Sequence, residues 1–423
     1  MRRGKFSAGL IAAVVVVLAV FGTARRAAAQ QEQVVYAFGA DYNRGGSLIP
    51  AGVISDSAGN LYGAAYYGNS NTSQCEDGCG TIFELMPQPG GGWTEKVLHN
   101  FGKDGHYPYC NLVFDAAGNL YGTTSAGGSY DAGMVFELTP TASGEWTETV
   151  LHNFDPANGS DGAGPQAGVI LDPSGNLYGT TYGGGTSGEG TVFEVIRQTD
   201  GSWANKTLHS FNSSRKDGAF PIAALTLDGS GVLYGTTWKD GAYTDGGGIV
   251  FELTPNANGK WSERILRNFG GNYEDGNTLY SSVILDNAGN LYGTALIGGA
   301  YGEGVAFELT PTSNGSWTEK VLYAFGATSG DGQLPQGTLT FDAAGNLYGT
   351  TAQGGYHNYG TVYELTPSAA GNWTETVLHA FTGPPTDGEY PQANLIFGTG
   401  GYLYSTTESG GASYGGTVFA VKP

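Results

Sequence analysis

A Leu-Tyr pair recurs seven times in the 423-residue chain, at Leu61-Tyr62, Leu120-Tyr121, Leu177-Tyr178, Leu233-Tyr234, Leu291-Tyr292, Leu347-Tyr348 and Leu403-Tyr404, with spacings of 59, 57, 56, 58, 56 and 56 residues. Two further phrases keep step with it. One reads most clearly as Gly360-Thr361-Val362-Tyr363-Glu364-Leu365-Thr366-Pro367, and its copies are followed by Trp93, Trp146, Trp203, Trp261, Trp317 and Trp373. The other reads Val97-Leu98-His99-Asn100-Phe101 and first appears as Val34-Val35-Tyr36-Ala37-Phe38. A period this long, held over nearly the whole chain, marks a supersecondary unit that buries its faces only by stacking on copies of itself.

Each unit divides into four short runs rich in β-branched and aromatic residues, separated by Gly, Asn, Asp and Pro clusters. In the unit spanning 165–211, strands A to D are expected at 168–171, 177–181, 191–195 and 203–211, and nothing has helical periodicity over ten residues. Four strands in seven copies predict an all-β seven-bladed propeller with four antiparallel strands per blade. The chain ends predict how it closes. Residues 34–38 are a D strand with no A, B or C before them, and the last unit, 391–421, has A, B and C but no D. The N-terminal strand then completes the last blade as its outermost strand beside 416–421, latching the ring by backbone hydrogen bonds. A parallel β-helix also gives all-β repeats, but units of 56 to 59 residues are too long for most such coils, and a split unit has no purpose in an open array.

Glycine accounts for 73 of 423 residues, yet 40% hydrophobic and 12% aromatic content supplies a core and excludes general disorder. We read most of the glycine as turn chemistry repeated in every unit, the Asn-Leu-Tyr-Gly phrase included. A length that by itself suggests two or three domains becomes one closed domain, 30–423.

Residues 1–29 have the three parts of a secretory signal: Arg2, Arg3 and Lys5, an apolar run from Ala8 to Gly22, and Ala27-Ala28-Ala29 before Gln30. The run is short for a span needing about 20 residues, so cleavage after Ala29 is expected, with export to the periplasm or beyond and no membrane insertion afterwards. Cleavage leaves 13 basic residues against 38 acidic ones. Such a surface repels nucleic acid and anionic lipid and suits a soluble monomer whose partner is an extracellular ligand or protein.

The phrases Asn176-Leu177-Tyr178-Gly179-Thr180-Thr181, Gly190-Thr191-Val192-Phe193-Glu194 and Val150-Leu151-His152-Asn153-Phe154 resemble the GloVer (Gloeo-Verruco) tandem repeat of exported bacterial proteins, and all seven units carry it in some form. The order of phrases is also similar to that of NHL-type propeller blades, in which an Asp-x-x-Gly-Asn turn links the two inner strands. The resemblance implies an extracytoplasmic propeller and assigns no activity. Proteins with this repeat often bear a C-terminal anchoring segment, but here Val421-Lys422-Pro423 follows the last strand directly, so surface anchoring is not expected.

Strand alternation puts the D-to-A and B-to-C loops on one face, where propellers usually bind. The D-to-A loops carry Asp-Gly at Asp104, Asp161, Asp217, Asp275, Asp331 and Asp387. Calcium could use such oxygens, but an Asp before Gly also caps backbone N–H groups in a turn, and identical placement in six blades keeps the carboxylates apart. Turn chemistry is therefore the expected role, and no cofactor is predicted, a divalent cation such as calcium being the one conceivable exception.

The B-to-C loops set aromatic side chains among paired glycines: Tyr66, Tyr67, Tyr130, Tyr182, Trp238, Tyr243, Tyr301, Tyr356, Tyr359 and Tyr414. Rings beside Asp and Asn suit sugar or peptide recognition, so Tyr67, Tyr130, Tyr182, Trp238, Tyr243, Tyr301, Tyr356 and Tyr414 are the candidate ligand-binding residues. Packing between neighbouring loops is the competing role for them.

His99, His152, His209 and His379 share one D-strand position with Tyr36, Arg267 and Tyr323, a substitution pattern foreign to a shared catalytic base. Glu84, Glu137, Glu194, Glu252, Glu308 and Glu364 repeat by blade, as cross-strand partners would. In an exported chain Cys75 pairs most readily with Cys79, while Cys110 aligns with small residues and starts strand A near the same face, which keeps a bond from it to either one open. No Walker loop, His-Glu-x-x-His, paired Cys-x-x-Cys or Gly-x-Ser-x-Gly elbow occurs, and no catalytic residue is assigned. The leading expectation is a non-enzymatic binding or interaction module for carbohydrate or another cell-envelope ligand. The alternatives are a metal-assisted lactonase- or lyase-like enzyme with an ion in the central channel, and a purely structural envelope protein.

Overall fold

The computed structural model describes residues 32–39, 51–68, 75, 78–243 and 247–423, so the signal expected at 1–29 lies outside the described residues. Seven antiparallel sheets, each with four strands in the order A-B-C-D and one of them joined by a fifth, Gly332–Pro335, form the seven blades of a propeller. Blade 3 is typical, with strands Ile170–Leu171, Leu177–Thr181, Thr191–Arg197 and Trp203–Ser210. Strand A is shorter than expected because the chain first runs along the preceding blade: a Cβ on Gly168 would lie 2.0 Å from the Asn111 carbonyl oxygen. Strand C is longer because its last residues pair with the start of strand D, Arg197 opposite Trp203. Helix among the described residues is confined to single 3-10 turns.

The ring closes through its ends. Strand Gln33–Ala37 pairs antiparallel with Thr417–Val421, Gln33 opposite Ala420 and Ala37 opposite Thr417, and the Phe38 N–H donates to the Gly416 carbonyl at 3.0 Å. Pairing thus begins one residue earlier than the phrase 34–38, and Phe38 serves as the end hook.

Each letter of the Leu-Tyr-Gly-Thr-Thr strand has its own physical task. In blade 3, Leu177 is wholly buried in the core shared with blade 2. The Tyr178 hydroxyl is 2.8 Å from Glu194 Oε1 on strand C and 3.3 Å from Asp172 in the A-to-B turn, so a buried cross-strand pair is satisfied by a phenol. Thr180 donates its hydroxyl to the Ala223 carbonyl of blade 4 at 3.0 Å, and Thr181 meets the Thr191 hydroxyl on strand C at 2.8 Å. The same spoke recurs from Thr123 to Ala167, Thr236 to Ser281, Thr350 to Ala393 and, across the closure, Thr406 to Ala51.

The glycine of this phrase corrects our reading of it as a turn residue. Gly179 lies mid-strand, opposite Phe193, and a Cβ on it would sit 2.5 Å from the Phe193 ring. In six blades the ring fills the face a glycine leaves vacant, and blade 7 carries Ser405 there opposite Phe419. The Phe193 ring in turn meets Phe154 from strand D of the preceding blade, and this contact recurs at all seven blade boundaries: Phe38–Phe83, Phe101–Phe136, Phe154–Phe193, Phe211–Phe251, Phe269–Phe307, Phe325–Tyr363 and Phe381–Phe419, with centroids 4.8–5.2 Å apart. Tilted and edge-to-face rings of this kind are favourable, and their burial supplies much of the adhesion between blades.

Candidate functional site

The innermost strands start on the face of the D-to-A and B-to-C loops, and there they converge on a central cavity of about 100 Å³. One register position supplies Tyr109, Gln166, Ile222, Tyr280, Gln336 and Gln392 to its lining. The next residue is small in every blade, as the repeat requires, but this one differs from blade to blade. Two residues deeper, the Gly52 N–H donates to Asn111 Oδ1 at 2.7 Å, and Asn111 Nδ2 donates to Asn394 Oδ1 at 2.9 Å, giving an amide relay on one side of the ring. Ser282 and Thr338 line the opposite side, the Ser282 N–H donating to Thr338 Oγ1 at 3.2 Å.

A second tier surrounds the first. Tyr107, Phe220, Thr278, Leu334 and Tyr390, two residues before the lining position, all adopt left-handed φ of 57° to 66°. That conformation is costly for bulky or β-branched side chains and persists only where neighbours over-determine it. Here backbone bonds do so from both sides. The Phe220 N–H donates to the Glu189 carbonyl of blade 3 at 2.8 Å, and its carbonyl accepts from the Trp238 N–H of blade 4 at 3.1 Å; Tyr107, Thr278 and Tyr390 repeat the scheme. The outcome is an aromatic border: Tyr66 stacks on Tyr107 at 4.8 Å and meets Tyr109 at 5.9 Å, Tyr182 stacks on Phe220 at 4.9 Å, and Trp238 meets Tyr280 at 6.0 Å.

Charge is sparse at this mouth. Lys239 lies over the Trp238 ring at 3.9 Å, a cation–π contact. On the far side Gln392 Nε2 donates to Glu408 Oε2 at 2.6 Å. Burial raises the Glu408 carboxyl above the usual range, with the Gln392 bond pulling it down and Glu389 pushing it up. Burial likewise raises the Tyr109 phenol, with smaller contributions from Tyr280, Glu408 and Tyr66. A mouth of neutral amides, hydroxyls and rings suits an uncharged polar ligand better than it suits acid–base work.

The eight aromatic candidates separate into two groups. Tyr67, Tyr182 and Trp238 are half-buried near the mouth, Tyr67 against Tyr66 and Tyr107. Tyr130, Tyr243, Tyr301, Tyr356 and Tyr414 are exposed, and Tyr243 and Tyr356 lean on Gly271 and Gly330 in the D-to-A loops of their own blades. Tyr109, Tyr280, Gln392 and Glu408 escaped the sequence reading. Their signal was present: at the register position of Tyr109, Tyr280 and Gln392, and at that of Glu408, the units disagree, while the residue after the first and the residue before the second are small in every unit.

The six D-to-A carboxylates stand apart at the blade boundaries; Asp161, Asp217, Asp275, Asp331 and Asp387 are buried and contacted from beyond their own turn, while Asp104 is exposed. Asp161 accepts the Asp155 and Gly162 N–H groups, and also contacts His152 Nε2 at 3.0 Å. Arg267 and Tyr323 reach Asp275 and Asp331 in the same way, at 2.7 and 3.0 Å. At His152, Arg267, Tyr323 and His379 the shared position is thus hydrogen-bonded to the loop Asp, whereas His209 lies 3.5 Å from Asp217, Tyr36 donates to Glu95 instead, and the His99 Nε2 makes no such bond. From the next blade's strand D comes a third member, Asn205 at the Asp161 boundary, where its Nδ2 donates at 2.9 Å, and a glutamate at most others.

Glu375 is that glutamate beside Asp331. Burial, then the Asp331 charge, pushes its carboxyl from 4.5 up to about 7. The folded protein therefore keeps a proton that the unfolded chain gives up between these values. The stabilisation is complete below pH 4.5 and is lost as pH rises through 7. Glu375→Gln, which would offer Asp331 Oδ1 the donor that Asn205 offers Asp161, is expected to flatten this loss and stabilise the protein at pH 8 by about 1–2 kcal/mol, solvent screening of the partly exposed group included. Urea unfolding at pH 5 and pH 8 measures it; an unchanged difference between wild type and variant at the two pH values would assign the dependence elsewhere.

Cys75 and Cys79 are joined as a disulfide with Cα atoms 5.3 Å apart, and Cys110 is a free, buried thiol raised to about 11 by burial.

Three overlapping stretches, 21–247, 143–342 and 280–423, match the Gloeobacter/Verrucomicrobia repeat. No curated protein matches the sequence. Among solved structures, a candidate 6-phosphogluconolactonase from Bacteroides uniformis is 14% identical over 77% of this chain and 84% of its own, with a TM-score of 0.47. A protein of unknown function from Dyadobacter fermentans is 12% identical over 92% of this chain and 98% of its own, with a TM-score of 0.45. Neither likeness bears on function.

Proposed function

The chain belongs to the Gloeobacter/Verrucomicrobia repeat family, and from that premise we propose that it is an exported binding module whose ligand, a neutral carbohydrate of the cell envelope, enters the central cavity. The observation that carries this reading is the departure from sevenfold identity at the one place where all blades converge. A purely structural ring gains nothing from Tyr109, Gln166, Ile222, Tyr280, Gln336 and Gln392 at one register position. Rings pack on the apolar faces of sugars, and amides hydrogen-bond their hydroxyls. The signal-like pattern of 1–29 supports a place outside the cytoplasm.

The enzyme reading needs unlike titratable groups gathered on a reacting centre. Among the described residues lining the cavity the Cys110 thiol and the Tyr109 and Tyr280 phenols titrate, and Glu408 joins them through Gln392. A glycan array followed by titration of the best binder tests the proposal. Trp238→Ala and Tyr280→Ala are each expected to weaken binding at least tenfold, on the order of 1–2 kcal/mol, with Tyr356→Ala unchanged. The reverse pattern would move the site to the rim, and no binding to any glycan would favour the structural reading.

A further inference from the structure

At the boundary of blades 1 and 2, His99, the loop residue Asp104 and Glu148 of the next blade bring one ligand atom each within 4.8 Å of the others. His379, Asp387 and Glu32 do the same at the boundary of blades 6 and 7. Two carboxylates at such a distance call for a cation between them, or for a proton such as Glu375 keeps beside Asp331. In blade 4 the chain supplies the cation: the Arg267 guanidinium is 2.7 Å from both Asp275 Oδ2 and Glu319 Oε2. At the blade 2 boundary one carboxylate is replaced by Asn205, which donates to Asp161.

Neither solution exists beside His99. The Glu148 side chain is only 10% exposed, its Oε1 is buried with no hydrogen-bond partner, and its Oε2 is 3.7 Å from a His99 Nε2 that is also buried without one. Glu32 Oε1 is buried and unpartnered in the same way. We propose that these two boundaries are zinc sites, each made of one imidazole and two carboxylates drawn from adjacent blades. The mixed nitrogen and oxygen donors favour zinc over calcium, which takes oxygen alone. Three protein ligands leave a fourth position for water. At His209, Asp217 and Glu263 the ligand atoms do not converge within the same distance, so no third site is assigned.

Each ion would tie one blade to the next, and the Glu32 site would tie the N-terminal strand to blade 6. Zinc titration of the chelator-treated full chain by calorimetry is expected to give two equivalents, with a rise in melting temperature of about 5 °C at a hundredfold excess over Kd. His99→Tyr and His379→Tyr place at each site the residue that blade 5 carries naturally as Tyr323, so the variants should fold, and each is expected to lose one equivalent. Asn205→Glu, which completes the set with His152 and Asp161, is expected to add one. Binding that persists in the double His variant, or calcium binding in preference to zinc, would overturn the proposal, as would an unchanged stoichiometry in Asn205→Glu. A wild-type stoichiometry of one equivalent, abolished by His99→Tyr, would keep the first site and overturn the second.

Discussion

Phe38→Ala is expected to lower the unfolding free energy by about 3–5 kcal/mol, the cost of removing a fully buried phenyl from a close-packed core, and deletion of residues 32–38 is expected to cost more than any single core substitution. Phe38 packs in one cluster with Val35, with Val418 and Ala420 of blade 7, and with Val53, Leu61 and Phe83 of blade 1. The strand therefore covers two surfaces at once: it pairs with strand C of blade 7, and it presents its phenyl to blade 1. Without it, blade 7 has an open edge and blade 1 an uncovered face. Urea unfolding followed by Trp fluorescence measures both losses. A peptide of residues 32–39 added to the truncated protein should restore part of the midpoint by adding itself as the missing strand. If truncation left the unfolding midpoint where it was, closure by this strand would be wrong.

Gly179→Val is expected to destabilise the protein by about 3 kcal/mol, at the upper end of ordinary overpacking, because its branched side chain must occupy the space of the Phe193 ring. Backbone conformation is not the obstacle, since Gly179 is absent from the glycines with positive φ. Steric exclusion alone sets the cost. Gly179→Ser should therefore cost much less: blade 7 already carries Ser405 at this register, opposite Phe419. Gly190, which precedes strand C, presents the contrasting case. Its φ is 99° and a Cβ would lie 2.6 Å from Pro221 Cδ, so any side chain there meets both strain and collision. Thermal unfolding of Gly179→Val, Gly179→Ser and Gly190→Ala separates the two mechanisms; Gly179→Val and Gly179→Ser with equal losses would refute the phenyl argument.

The propeller was legible because its evidence in the sequence is periodic. Leu177, Tyr178, Thr180 and Thr181 face fixed neighbours in each blade, so the same letters recur, and the split of the last unit is legible from the missing strands alone. The Asp104-type carboxylates were legible as turn residues but not as members of a boundary trio, because the donor at His152 lies nine residues before Asp161 and Asn205 lies 44 after it. No local spacing connects these positions. Strand D as a whole was recognised, yet the Glu148 and Glu375 position was passed over, since a charged residue on an outer strand reads as solvated. Only the preceding blade, lying against it, makes that position half-buried. The cavity lining was hidden for the opposite reason: a repeat directs attention to what is constant, and Tyr109, Gln166, Ile222 and Tyr280 are where the copies differ.

The left-handed residues around the mouth have an evolutionary consequence. At Tyr107, Phe220, Thr278 and Tyr390 the main chain is pinned by one neighbour on each side, and the side chain takes no part in that pinning. Aromatic and β-branched residues therefore occupy equivalent points of one unchanging backbone, with Gly164 as a fifth variant. Under the binding role proposed above, recognition at these points would drift by single substitutions without renegotiating the contacts that hold the ring together. The mouth is a variable surface on a frame repeated from blade to blade, organised as antibody loops are on their sandwich, and under the same proposal gene duplicates of such a chain would acquire new ligands while folding in the same way.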